Sequence, residues 1–442
     1  MHDSLGNAVT TDSGEALRLV DSAIDRHARA WPGALEAAQA AAAEAPQLAI
    51  AHALQALIHG TWGRKRESDA ALERAMACVA GTSPRERSLV ELLSHVVRGR
   101  THLALASLLV HSRRYPTDLL ALTTGMGAYG VFAFSGRADH VEARLDLLDD
   151  LAVHFPPDYP WLLAYRGWTR IELGAVDEGL AMAFRALDLR PENAHNAHII
   201  AHGLHEANRH GEYIDFLQGW LPCYPDTALM WGHLNWHGAL AELALEREDA
   251  AVQRCLGPVM EYLRRGAPFM GLADAPSLLW RLGLRGVVGL PWSQVATHAE
   301  QNFPGGSNAF GEVHLAILAA AFADIGALKA GRQRLDKLAS EGHMGAPAAI
   351  EWTHGLQALI ERRAGDAEAH FAACEADSVR LGGSKAQRSI IGDTRRAQRL
   401  PVIRALNPDA STPSHETAAA YPGPTPDDLA SSGNISGRCC RK

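Results

Sequence analysis

Apolar positions along most of this chain recur every three or four residues, and Ala, Leu, Glu and Arg fill the spaces between them. That pattern belongs to amphipathic helices, and the alternation of Val, Ile and Thr expected of strands is nearly absent. Breaks in the pattern predict helices in pairs: 35–45 with 47–60, 88–98 with 101–113, 119–134 with 139–154, and 227–246 with 249–265. Further pairs are expected at 312–325 with 327–340 and at 346–364 with 367–381. Between 266 and 306 the rhythm loosens around Gly266, Gly271, Gly283, Gly286, Gly289, Gly305 and Gly306. From Asn407 onward Pro408, Pro413, Pro422, Pro424 and Pro426 crowd among Ser, Thr, Gly and Asp, so residues 401–442 are expected to form a disordered tail.

Proline punctuates the pairs at a nearly regular interval. Pro46, Pro84, Pro116, Pro156, Pro191 and Pro225 are separated by 38, 32, 40, 35 and 34 residues. A step of about 34 residues is the period of tetratricopeptide repeats, in which proline closes each helix–turn–helix. The segment from Leu163 to Pro191 carries the pattern best, with Gly167 where two helices must approach and Gly174 in the turn. The expected fold is all-α: a tetratricopeptide-repeat-like α-α superhelix in which residues 1–400 form one solenoid, each pair covering its neighbour's apolar face. If the array curls, its first helices surround a central cavity.

Composition narrows the functions. Of 442 residues, 42 are basic and 50 acidic, a net charge of −8. Such a surface has no concentrated basic face for nucleic acid. The longest apolar run, 315–328, is interrupted by Asp324 and falls short of the roughly 20 residues a membrane span requires. No secretory signal is visible at the start, so the expectation is a cytoplasmic protein with no nucleic-acid or membrane partner. Cys78, Cys223, Cys255, Cys374, Cys439 and Cys440 show no C-x-x-C spacing and read as reduced thiols.

Histidine changes the picture. The chain has 22, and seven lie between His195 and His237. On a helix over 193–209, His195, His198, His202 and Glu206 share a stripe about 80° wide, with His205 at its border. On the next first helix, His233 and His237 again stand four apart, and both His198→His233 and His202→His237 are steps of 35 residues. Repeat-equivalent positions face the same way, so four imidazoles and Glu206 are expected to converge in one groove. Neutral imidazoles at this spacing, with a carboxylate, chelate zinc, iron, manganese or nickel, and histidine pairs also serve as acid and base near neutral pH. The candidate metal ligands are therefore His198, His202, His237 and Glu206. Trp161, Trp168, Trp231 and Trp236 surround the cluster, and Arg166 and Arg170 flank the equivalent position one repeat earlier.

These residues carry a resemblance. The run His198-Ile-Ile-Ala-His202-Gly-Leu-His-Glu206, followed by His233-Leu-Asn-Trp236-His237, resembles the H-A-V-A-H-V-x-E and H-N-W-W-H signature of the tetratricopeptide repeat protein 38 family. Further similarity lies at Leu272-Ala-Asp274-Ala-Pro-Ser277-Leu-Leu-Trp280-Arg281-Leu, Trp292, Gly311-Glu-Val-His314 and Gly382-Gly-Ser-Lys-Ala-Gln387-Arg388. Together these cover roughly residues 30–400. Leu234, Asn235, Gly311-Glu312 and Arg166 depart from the family pattern. The resemblance implies a helical repeat fold and draws Asp274, His314 and Arg388 towards the site; it implies no particular reaction.

The leading expectation is a histidine-rich concave pocket for a small polar ligand or divalent metal. Its chemistry would rest on His198, His202, Glu206, His237 and His314, with His195, His233, Trp236, Asp274 and Arg166 contacting the ligand. Its rival is a non-enzymatic scaffold holding a partner peptide in the groove. A third reading is a purely structural histidine core, although several buried imidazoles are costly unless each nitrogen is paired.

Overall fold

The computed structural model describes residues 1–397; the tail expected to be disordered lies outside them, as do Cys439 and Cys440. Among the described residues the regular elements are helices, apart from one isolated bridge between His2 and Ala8. Helices that follow one another in the chain pack in pairs, as Pro160–Glu172 does with Val176–Leu189 and Ala346–Ile360 with Ala364–Ala376.

The helices fall into two kinds, for a reason visible in their side chains. Val176–Leu189 buries only Gly179, Leu180, Ala183 and Ala186, one stripe at helical spacing, and leaves its other face to solvent. Ala194–Glu206, Trp231–Ala244 and Pro268–Leu284 are buried around almost their whole circumference. A helix covered on every side must be apolar or carry polar groups that find partners, and these three hold most of the candidate site.

Small residues set how near the helices stand. A Cβ at Gly179 would lie 2.5 Å from the Gly167 carbonyl oxygen, and one at Gly167 would lie 2.7 Å from that of Gly179. The first pair in the best-patterned segment thus packs backbone against backbone, which is why glycine stands at both positions.

The chain closes on itself at two places. At the first, the backbone N–H of Ala194 donates to Arg29 O at 3.0 Å. The Tyr224 hydroxyl donates to Ala30 O at 2.7 Å, with Trp31 packed on Trp220 and Tyr224. At the second, Gly383 N–H donates to Ala128 O at 3.2 Å and the Arg380 guanidinium to Gly136 O at 2.9 Å. Gly382 and Gly383 pass this point at φ 82° and 70°, and a Cβ on Gly382 would stand 2.5 Å from the Phe134 ring.

Two local expectations are corrected. The helix expected over 119–134 ends at Met126, because Gly127 turns extended and a loop runs through Tyr129 and Gly130 to a short turn at Ala133–Ser135. Most of the segment expected to loosen is instead helical, as Pro268–Leu284, whose Gly271 approaches the His298 ring, and Trp292–Asn302; the irregular backbone is confined to 266–267, 285–291 and 303–308. Cys255 and Cys374 are buried, Cys78 and Cys223 half-buried, and among the described residues no disulfide forms.

The Gly167–Gly179 contact gives a first prediction. Gly179→Ala should gain about 1 kcal/mol of helix propensity but lose about 1–3 kcal/mol to overpacking against backbone that no rotamer change relieves. A lower urea midpoint is expected; an unchanged or raised midpoint would show that the helices separate freely.

Candidate metal centre and cavity

Ala194–Glu206 begins where the Asn193 side chain accepts from Asn196 N at 3.0 Å, and this cap sets the helix phase. His198 and His202 then share one face, and Trp231–Ala244 presents His233 and His237 opposite them. The Nε2 of His198 stands 2.8 Å from that of His202, 2.9 Å from that of His233 and 3.1 Å from that of His237. One ligand atom from each of the four lies within 4.8 Å of all the others, and all four residues are buried.

Hydrogen bonding cannot satisfy this arrangement. A neutral imidazole nitrogen offers either one proton or one lone pair, so His198 Nε2 can complete one of its three contacts. Protonation is not a remedy, since burial first and neighbouring imidazoles second push His198, His202 and His237 well below the usual histidine range. A cation that accepts several lone pairs does fit. Nitrogens about 2.0–2.1 Å from a tetrahedral zinc ion stand roughly 3.3–3.4 Å apart, close to the spacings here.

A second layer orients the rings. Both Asp274 oxygens lie within reach of His233 Nδ1, at 2.8 and 2.9 Å, so Nδ1 carries the proton and Nε2 presents its lone pair to the cluster. Trp236 stacks on His233 with centroids 5.2 Å apart and donates to Ser277 Oγ at 3.0 Å. The Ser277 hydroxyl donates in turn to Asp274 O at 2.9 Å. Trp168 packs edge-on against His202, 4.5 Å between centroids.

The cluster forms one wall of a cavity of about 470 Å³, to which His198 and His233 are the contributing members. Other walls come from Tyr165 and Trp168, from Tyr129 and Phe134 in the 127–135 segment, and from Leu57, Met230, Phe269 and Met270. No Asp, Glu, Lys or Arg is among the lining residues.

The remaining candidates are placed as follows. His195 lines the same cavity, as does His27, and burial pushes the His195 ring down to about 4. Asp274 is bonded to the cluster, whereas Trp236 buttresses it from behind and does not line the cavity. Glu206 is not in the convergent group: its carboxylate faces Lys385 at 3.9 Å, and the fourth nitrogen comes from His233. The stripe carried Glu206 one turn too far, to the helix end, where another segment's cation draws it away. Arg166 turns to Asp149 at 2.7 Å and misses the cavity. His314 is buried, with Nδ1 donating to Phe310 O at 2.9 Å, and lies outside the group of four. Arg388 is buried beside Glu172 at 3.9 Å. Tyr129, His27 and Tyr165 line the cavity but were not singled out in the sequence; the Gly125, Gly127 and Gly130 run was the one local signal for the Tyr129 loop.

No protein-family model matches the chain.

Buried imidazoles away from the cluster predict acid sensitivity. Burial lowers His140 and His314 from 6.5 to about 4. Below pH 6.5 the unfolded chain takes up protons that the folded chain refuses, so their contribution is complete above 6.5 and lost as pH falls towards 4. The thermal midpoint is expected to fall across that window, less steeply in His140→Leu. An identical slope in the variant would remove His140 from this account.

Proposed function

We propose that this chain is a tetratricopeptide-like solenoid whose central cavity receives a small molecule at a divalent transition-metal centre. His198, His202, His233 and His237 hold the ion, with zinc, iron, manganese and nickel as the candidate metals, and Asp274 positions His233. The observation that carries the reading is the convergence of four buried imidazole nitrogens that cannot satisfy one another. When bound, such an ion supplies a Lewis-acid centre at the cavity wall. The sequence resemblance to the tetratricopeptide repeat protein 38 family is compatible with this assignment and leaves the reaction open.

The rival is a scaffold that grips a partner peptide. Scaffolds of this architecture read peptides in a long groove, whereas this cavity is bounded by aromatic side chains, one of which, Tyr129, accepts a hydrogen bond from Gln387 behind it. Its volume, about 470 Å³, suits a small ligand.

Metal analysis of untagged protein tests the centre. About one divalent ion per chain is expected in the parent after reconstitution, and a large loss in His202→Ala and His237→Ala. Asp274→Asn should weaken affinity by about 10–100-fold while leaving the four ligands in place. Substoichiometric metal in the reconstituted parent would leave the cluster a structural core.

A further inference from the structure

Resting on the metal reading above, we infer that the cavity is built for a monoanion: one carboxylate-like oxygen head on an uncharged, largely apolar or aromatic body. The head would face the ion at the wall formed by His198 and His233, and the body would lie among Leu57, Tyr129, Phe134, Trp168 and Phe269.

Charge is the first argument. Four neutral imidazoles do nothing to offset a divalent ion. Asp274, hydrogen-bonded through His233, compensates at most one of its two positive charges. The other nearby carboxylates are engaged elsewhere, Glu206 beside Lys385 and Glu172 beside Arg388, each at 3.9 Å. A positive centre on four buried side chains is thus left at the cavity wall, where charges are screened less than in bulk water and an anionic head gains most.

The lining supplies the second argument. Because no Asp, Glu, Lys or Arg borders the cavity, a second charge on the ligand would find no partner there. Polar groups away from the cluster are limited to side chains such as Thr123, Thr124, His27 and Asn308, which suit neutral oxygen or nitrogen atoms. A neighbouring cavity of about 480 Å³ shares Val96, Tyr129, Phe134 and Asn308 with this one and is bordered by the exposed Gly342–Met344 stretch. The stacked Tyr129 and Phe134 rings therefore border both cavities.

The test uses the full chain, purified without a histidine tag, stripped with chelator and titrated with Co²⁺. The visible cobalt spectrum reports uptake, and three shape-matched probes follow: 4-phenylbutyrate, 4-phenylbutan-1-ol and 4-phenylbutylamine. The carboxylate should shift the cobalt bands and bind at least about tenfold more tightly than the alcohol or the amine, a preference that disappears in metal-free protein. Leu57→Trp, which adds bulk to the cavity lining and alters none of the four ligands, should keep cobalt uptake and lose the carboxylate. Stoichiometric cobalt with equal binding of all three probes, with the amine preferred, or with no probe bound overturns this inference and leaves the metal centre standing. Failure to take up cobalt overturns the metal reading and the inference with it.

Discussion

An imidazole nitrogen has room for one partner in the plane of its ring, and the Nε2 of His198 has three other imidazole nitrogens within 3.1 Å. At most one of these contacts can be a hydrogen bond, the others set like against like, and burial denies the rings the added protons that would help. Leaving such groups unpaired costs free energy that ordinary core packing avoids. The surroundings fix the conflict in place instead of relieving it. Asp274 sets the His233 tautomer, Trp236 and Ser277 hold that pair, and Trp168 closes the side of His202.

Helix spacing makes the convergence possible. His198 and His202, and 35 residues further on His233 and His237, are i, i+4 pairs on two packed helices, so both pairs face one another as a group of four. Those helices are buried on all sides because outer helices cover them and because the chain closes at Arg29–Ala194 and at Ala128–Gly383. Burial of those helices matters for the proposed function, because an ion held by their histidines would be screened less than at the surface. The same burial explains why His140 and His314, far from the cluster in sequence, are also held neutral.

Much of this was legible in the residues. Helix pairs are short-range patterns, and the histidine register follows from helix period and repeat period alone. What failed was anything settled by distant segments. Glu206 sits on the right stripe but at the helix terminus, where Lys385, brought in from near the end of the described chain, takes its carboxylate. Arg166 answers to Asp149 of the preceding pair. His233 was expected to touch ligand and not to complete the metal set, because a carboxylate is the commoner companion to histidine and the fourth imidazole's direction depends on Asp274, 41 residues further on. Tyr129 reaches the cavity from a loop that helix periodicity had carried through to Phe134. Asp274 itself was flagged by family resemblance, since a lone Asp in an apolar helix has no periodic signature.

The central claim is that His198, His202, His233 and His237 share one ion, and X-ray absorption at the metal edge of the reconstituted protein tests it most directly. A nitrogen shell at about 2.0–2.2 Å with the outer-shell scattering of several imidazole rings is the predicted result, reduced in His237→Ala. A shell made of oxygen alone, or one that His237→Ala leaves unchanged, would place the ion elsewhere and contradict the account.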